Sequence, residues 1–382
     1  MKDEKEMTAP DVSVGADTEQ PSSTSDTSIT EKDAACNTVS KTFSELEKRL
    51  SCINNPNYLP TITMNELYES IYESKPPIIE KFLFPGVYIF AGAPKLGKSF
   101  LMTQIAYHVA TGLPIWNFNV KKCEVLYFAL EDTYVRLQQR LFKMFGIEST
   151  ENLFFAVSSK QLGGGLDEQI RWFLREHSGI GLIIIDTLQK VRESSGDGYS
   201  YANDYEIIAK LKSIADEYGI CLIAVHHTRK QHADDKFDMI SGTNGLLGAA
   251  DGGLLLQKEN RTSNAATLSV AGRDQQDQKL YLTRNPETLS WELERAETEL
   301  WQSPADPFLE EIKKLLVEND GAWSGTATQL KEKINTELTP ISISMKLNIL
   351  SSQLRNDYKI SYERIRNHGG RAVKLSMIKP SP

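Results

Sequence analysis

Nine consecutive residues, Gly92-Ala93-Pro94-Lys95-Leu96-Gly97-Lys98-Ser99-Phe100, carry the densest chemical signal in the chain. The first eight fit the spacing G-x-x-x-x-G-K-[ST]. Glycines at both ends let backbone N–H groups turn toward phosphate oxygens, and a helix N-terminus behind them adds partial positive charge. Lys98 is the residue to reach the β- and γ-phosphates, and the Ser99 hydroxyl the one to hold Mg2+. The expected ligand of Gly92–Phe100 is ATP with magnesium. A chance glycine-rich turn is the competing reading. It is set aside because an apolar strand precedes the loop and an apolar helix follows it.

Three further positions have the residue types that such a site needs. Asp186 ends the apolar run Gly181-Leu-Ile-Ile-Ile, where a carboxylate on a buried strand can hold Mg2+ directly or through water. A helix cap is its alternative role. No glutamate follows Asp186, so the group that polarises the attacking water must come from another strand. Glu131, at the end of Val125–Leu130, is the best donor, with Asp132 read as a cap for the next helix. His226 and His227 close the run Cys221–Val225. One of them is expected to sense the γ-phosphate and the other to satisfy a backbone group; the sequence does not choose between them.

The surrounding pattern must deliver these residues to one crevice. GVYIFAG, EVLYFALE, GLIIID and ICLIAVHH read as buried strands, with Leu153–Val157 a fifth. Between them lie helical segments from Ser99, Tyr134, Leu166 and Asp204. Such alternation predicts an α/β fold with a mainly parallel central sheet covered on both faces. GGLLLQKE, ATLSVAG, QKLYLTR and LSWEL read as a closing antiparallel meander. The predicted organisation is a tail over 1–42, a short helical segment over 43–75, an ATPase domain over 76–302 and a small C-terminal domain over 306–380. That last part shows three helices and a hairpin with Gly369-Gly370 at its tip, the order of a winged helix.

Composition narrows the setting. The net charge is −8, with nine acidic and four basic residues among the first 42. That tail has too little apolar surface to offset chain entropy and is expected to be disordered. Seven basic and two acidic residues fall between Arg355 and Lys379, which makes DNA the expected partner of the C-terminal domain. On that reading the helix Ile343–Leu354 offers Lys346, Asn348 and Gln353 to base edges, and Arg364–Arg371 forms the wing. Protein contact is the alternative. The four cysteines are scattered, and no apolar run approaches a membrane span. A cytoplasmic protein with no membrane partner is expected.

Taken together, Gly92-Ala-Pro-Lys-Leu-Gly-Lys-Ser, Ala129-Leu-Glu-Asp, Ile185-Asp-Thr-Leu, Val225-His-His-Thr and Ser241-Gly-Thr resemble the RecA-like ATPases. The closest resemblance is to the RepA-type AAA-family ATPases of plasmids and mobile elements, related to hexameric replicative helicases. It covers about Pro76 to Leu293. The resemblance implies a RecA-like core and a homo-oligomeric ring, hexameric in the related helicases, with ATP at the subunit interfaces. A basic residue from the neighbour then completes each site, and Arg273 is the candidate; the alternative is a surface arginine paired with Asp274 or Asp277. Ser241–Asp251, preceded by Arg229, Lys230 and Lys236, reads either as a solvated connection or as a segment facing DNA in the ring pore. The implied function is ATP hydrolysis acting on DNA in replication of a mobile element, as a helicase-like motor. The alternative is a DNA-binding regulator or loader that unwinds nothing. A P-loop kinase is a third class, but it lacks an acceptor site and leaves the basic C-terminal part unexplained.

Overall fold

The computed structural model describes residues 55–72, 75–192, 201–228, 237, 240, 244–258, 260, 263–273, 275–298, 306–334, 336–367 and 370–378. The expected tail, residues 43–54, 73 and 74 of the 43–75 segment, Arg229, Lys230, Lys236, Ser241–Thr243, the linker at 299–305 and Gly369 lie outside the described residues.

Residues up to Tyr68 and residues from Glu69 onward form two units. In the first, helix α1 (Met64–Glu69) opens with a capping box. Glu66 Oε2 accepts from the Thr63 backbone N–H at 2.7 Å, and Thr63 Oγ1 accepts from the Glu66 N–H at 3.2 Å.

The second unit is built on a nine-stranded sheet. Its strands are β1 (Gly86–Gly92), β2 (Glu124–Ala129), β3 (Leu153–Ala156), β4 (Ile180–Asp186), β5 (Cys221–His227), β6 (Gly252–Gln257), β7 (Ala265–Gly272), β8 (Gln275–Arg284) and β9 (Trp291–Thr298). The spatial order is β3-β2-β4-β5-β1-β6-β7-β8-β9. Strands β1 to β6 pair in parallel, and β7 to β9 continue antiparallel. The expected four-stranded antiparallel meander is present as β6 to β9. Its first member, β6, lies parallel to β1 and belongs to the central layer.

Connecting helices are α2 (Lys98–Thr111), α3 (Tyr134–Phe145), α4 (Leu166–Glu176), α5 (Leu188–Val191), α6 (Tyr201–Tyr218) and α7 (Asn244–Ala249). They divide between the two faces of the sheet. One apolar core holds Leu101, Met102, Ile105 and Val109 of α2. The other holds Ile170 and Leu174 of α4 with Ile208 and Leu211 of α6. Both faces of the inner strands are thus out of water, which is why β1, β4 and β5 read as continuous apolar runs rather than alternating ones.

After residue 306 a third, separate core forms around Leu309, Ile312, Leu330, Ile343, Leu347 and Leu375. Its elements are α8 (Pro307–Glu318), β10 (Ala322–Gly325), α9 (Ala327–Ile334), α10 (Pro340–Ile349), α11 (Ser351–Asn356), β11 (Ile360–Asn367) and β12 (Gly370–Met377). The strands form an antiparallel sheet in the order β10-β12-β11. Two expectations change here. The helix expected over Ile343–Leu354 starts earlier and breaks at Leu350. Pro340 is its first helical residue, behind the cap Thr339, where a missing N–H costs nothing. Strand β10 is short and half-exposed and was not foreseen.

A hydrogen-bonded pin ties the antiparallel extension to α2. Gln104 donates to the Trp291 carbonyl at 2.9 Å and accepts from the Trp291 N–H at 2.8 Å, both groups being buried. The Trp116 indole also donates to that carbonyl, at 2.7 Å. Gln104→Leu keeps the volume but orphans the Trp291 N–H. It is expected to lower stability by about 1–3 kcal/mol, read from denaturant midpoints. An unchanged midpoint would show that the pin is not needed.

Candidate active site

Side-chain parity decides which residues of the sheet can meet, because successive strand residues point to opposite faces. Tyr88 and Phe90 of β1, Val125, Tyr127 and Ala129 of β2, Leu182 and Ile184 of β4, and Cys221, Ile223 and Val225 of β5 all enter the core that contains α2. Continuing each series by two reaches Gly92, Glu131, Asp186 and His227. The register aligns their strand ends, with Gly92 opposite His227 and Ala129 opposite Asp186. His226 has the parity of Leu222 and Ala224, which pack on the other face.

Between β1 and α2 the loop turns on two glycines. Gly97 has φ +95°, a left-handed conformation that side chains resist. A Cβ on Gly92 would stand 2.8 Å from the Leu256 carbonyl oxygen. Lys98 opens α2 and is only 7% exposed. Its Nζ donates to the carbonyls of Gly92 (2.7 Å) and Ala93 (3.1 Å) and lies 3.3 Å from His227 Nδ1. Burial lowers the ammonium pKa to about 8, against the pull of Asp186 and Glu131.

Asp186 is 6% exposed at the end of β4. Burial pushes its carboxyl upward. Hydrogen bonds from Ser99 and Tyr127 oppose that, the latter at 2.9 Å from Tyr127 Oη to Asp186 Oδ2. Glu131 is exposed, and its Oε1 accepts from Thr187 Oγ1 at 3.1 Å. His227 is held below its usual pKa by burial and by Lys98. It is therefore neutral at pH 7, and a charged Lys98 leaves Nδ1 as the acceptor and the proton on Nε2.

Other expected residues are placed elsewhere. Asp132 is not the cap of α3. Thr133 is, accepting from the Arg136 N–H at 3.3 Å. Asp132 instead pairs with Arg140 at 2.7 Å, both nine-tenths buried. Arg273 is exposed at the β7–β8 turn, where its guanidinium donates to the Gly248 carbonyl at 3.0 Å. Neighbouring Gly272 faces Gly252, which lies beside Tyr88 near the start of β1. Arg273 thus sits at the end of the sheet opposite its own phosphate loop. In the C-terminal part, two groups expected to face bases are engaged internally. Lys346 bridges to Asp306 at 2.9 Å, and buried Asn348 accepts from the Tyr362 hydroxyl at 2.8 Å.

Sequence reading missed a cationic cluster beside Gly97. The Arg284 guanidinium lies over the rings of Phe100 (4.6 Å) and Trp291 (5.9 Å), and Lys258 lies 5.3 Å over Trp291. Arg140 also lies over Phe100, at 5.1 Å. The Trp291 indole donates to the Gly97 carbonyl at 3.4 Å. The signal was faint: Lys258 and Arg284 end strands that read only as a meander. With its ring covered, Phe100 has its backbone N–H, in the first turn of α2, to offer a phosphate.

A strand–glycine loop–helix holding a buried lysine, with two carboxylates on adjacent strand ends, defines a P-loop ATPase. Residues 57–233 match the family model described as the AAA domain. The chain carries an AAA-type ATPase domain, binds nucleotide and hydrolyses ATP. No curated protein matches the chain. Two solved structures are similar to parts of it. One is an ATPase domain solved by itself, at 16% identity and TM-score 0.46, over 55% of this chain and 84% of that one. The other is a DnaB-like replicative helicase, at 17% identity and TM-score 0.45, over 69% of this chain and 74% of that one. Among the described residues no helix is long and apolar enough to cross a membrane.

The lysine makes nucleotide binding pH-dependent. An ammonium is charged below its pKa, and that of Lys98 lies at about 8. Affinity for a fluorescent ATP analogue is expected to be level near pH 7. It should then fall by up to about tenfold per unit as pH rises past 8, until the raised pKa of the bound state is reached. A flat profile from about pH 7 to 9.5 would remove Lys98 from the phosphates.

Proposed function

We propose that the chain hydrolyses MgATP at the site formed by Gly92–Phe100, Asp186 and Glu131, and uses the hydrolysis to act on DNA as a RecA-like, helicase-related motor of a mobile element. The observation that carries the hydrolytic part is the convergence of Lys98, Asp186 and Glu131. Asp186 and Glu131 lie at the ends of adjacent strands, and both are close enough to Lys98 at the start of α2 to act on its charge.

Magnesium fits the residues present. The Ser99 hydroxyl and the buried Asp186 carboxylate bond each other beside the phosphate loop, an all-oxygen pair suited to a hard cation. Among the described residues no cluster of three or more acidic, histidine or cysteine side chains could hold a metal. That agrees with an ion shared between a few protein oxygens and the phosphates. When bound, the ion supplies charge neutralisation at the β- and γ-oxygens. Lys98 adds positive charge there, the backbone N–H groups of 93–100 orient the phosphates, and Glu131 orients and deprotonates water. His227, through Lys98, is the better of the two histidines to sense the γ-phosphate.

The DNA part of the reading rests on the C-terminal module. Its order, with a strand after the first helix and a terminal hairpin, is that of a winged helix. Arg364 and Arg371 are exposed on the hairpin. A second reading has specific support. With Lys346 and Asn348 engaged, α10 turns Ile341 and Ile349 to solvent, 70% and 54% exposed, which suits a protein partner. Assembly into a homo-oligomeric ring, with Arg273 acting on a neighbour's ATP, is part of the same proposal.

Lys98→Ala and Asp186→Ala are expected to abolish turnover. Glu131→Gln should keep ATP binding and lose about 10²–10⁴-fold in turnover. Normal hydrolysis in Lys98→Ala would overturn the site. For the DNA part, ATPase rate is measured with and without single-stranded DNA. DNA affinity is then compared across a salt series for the full chain and for a truncation near residue 303. The module as DNA contact predicts weaker binding and a shallower salt slope on truncation. Equal affinity and slope would favour protein contact.

A further inference from the structure

The two carboxylates of the site are each held by a hydroxyl from the other's strand. Tyr127 lies on β2, opposite Ile184, and sends its hydroxyl across to Asp186 Oδ2 on β4 at 2.9 Å. Thr187, just past β4, sends its hydroxyl back to Glu131 Oε1, just past β2, at 3.1 Å. The backbone closes the same gap, since the Leu130 N–H donates to the Asp186 carbonyl at 2.8 Å. Both hydroxyl residues are buried, Tyr127 fully and Thr187 to within 2%.

We propose that Tyr127 and Thr187 are positioning residues, a reciprocal hydroxyl clamp that fixes the ATPase site's two carboxylates relative to each other. The inference rests on the reading of Asp186 as the magnesium carboxylate and Glu131 as the base. A glutamate at an exposed strand end has several rotamers of similar energy. The Thr187 bond selects one of them and leaves Oε2 for water. A buried aspartate has fewer choices, yet its carboxylate plane can still rotate. The Tyr127 bond fixes that plane, and the Thr103 hydroxyl, also within bonding reach of Tyr127, ties it to the first turn of α2. Outer-shell hydrogen bonds of this kind typically tune metal affinity or activity by about 10–100-fold. Both act through the carboxylates they hold.

The bland alternative is that the hydroxyls merely satisfy one another in a packed interior. Two readouts separate the cases. Nucleotide binding without turnover is followed with a fluorescent non-hydrolysable ATP analogue while MgCl2 is titrated. Tyr127→Phe, which keeps the ring, is expected to raise the Mg2+ midpoint about tenfold. Thr187→Val is expected to leave that midpoint and the KM for ATP within about twofold while lowering kcat about tenfold, and Thr187→Ser to restore kcat. An unchanged Mg2+ midpoint in a folded Tyr127→Phe protein overturns the proposal. So does a Thr187→Ser variant as slow as Thr187→Val. If Tyr127→Phe does not fold, the threonine pair still decides. Asp186→Asn and Glu131→Gln run alongside. If they too behave as wild type, the site reading itself fails; if they are impaired while the hydroxyl variants are not, only the clamp fails.

Discussion

A buried ammonium must be surrounded by acceptors and negative charge, and Lys98 imposes that requirement on the whole sheet. Its Nζ is met by two carbonyls of its own loop, and Asp186 and Glu131 supply the field that keeps its pKa from falling further. Those partners come from three different strands. Only a sheet in which β1, β2, β4 and β5 run parallel brings all their C-terminal ends to one edge. The continuous apolar runs of the central strands follow, since a parallel sheet must be covered on both faces. The site's electrostatics and the fold's layering are therefore one constraint seen at two scales.

The antiparallel extension has a part in this that strand order alone does not reveal. Strands β7 to β9 lie on the far side of β6, yet Trp291 at the start of β9 reaches back to Gly97 and Gln104. Adding strands beyond β6 thus buttresses the phosphate loop from below. It also delivers Arg284 and Lys258 to the loop's flank. Arg284 stays beside the rings because a guanidinium is weakly hydrated and stacks well on aromatic faces. Its pKa is lowered by burial, and that of Lys258 by burial and by Arg284, so this flank favours an anion.

What was legible in the sequence follows the range of each signal. The Gly92–Ser99 loop, the central strands and most helices rest on local patterns of a few residues, and they appear close to where the pattern put them. Pairing is non-local. The meander reading missed that β6 lies parallel to β1, because an apolar strand reads the same in either direction. Asp132 looked like a cap because it precedes a helix, but Thr133 is nearer and Arg140, eight residues on, claims the carboxylate. Parity could have separated His226 from His227. Counting by twos puts His227 with Cys221 and Val225, but only the structure tells which face carries α2. The same count links Tyr127 to Glu131. Its hydroxyl was hidden because an aromatic residue in an apolar strand reads as core.

The position of Arg273 carries a consequence for how the site can be completed. Within one chain it stands at the opposite end of the sheet from the phosphate loop, held by the Gly248 carbonyl and, through its own N–H, by Asp251. Asp251 in turn accepts from the Val87 N–H and pairs with Lys212, so the turn bearing Arg273 is built into the start of β1 rather than hung from it. The β6–β7 pairing at Gly252 and Gly272 and the bond to Asp251 hold the backbone of Arg273 at that end of the sheet. That placement suits the proposed role of Arg273 on another copy of the chain better than one at its own loop. Among the described residues, the cations beside the chain's own loop are of a different kind and include Lys98 at its end and Arg284, Lys258 and Arg140 on its flank. If one chain suffices for turnover, it is cations of this kind that must meet the transition-state charge. If turnover needs an arginine from outside, the rigid setting of Arg273 makes it a group presented at a fixed place on the surface, as a contact between subunits requires.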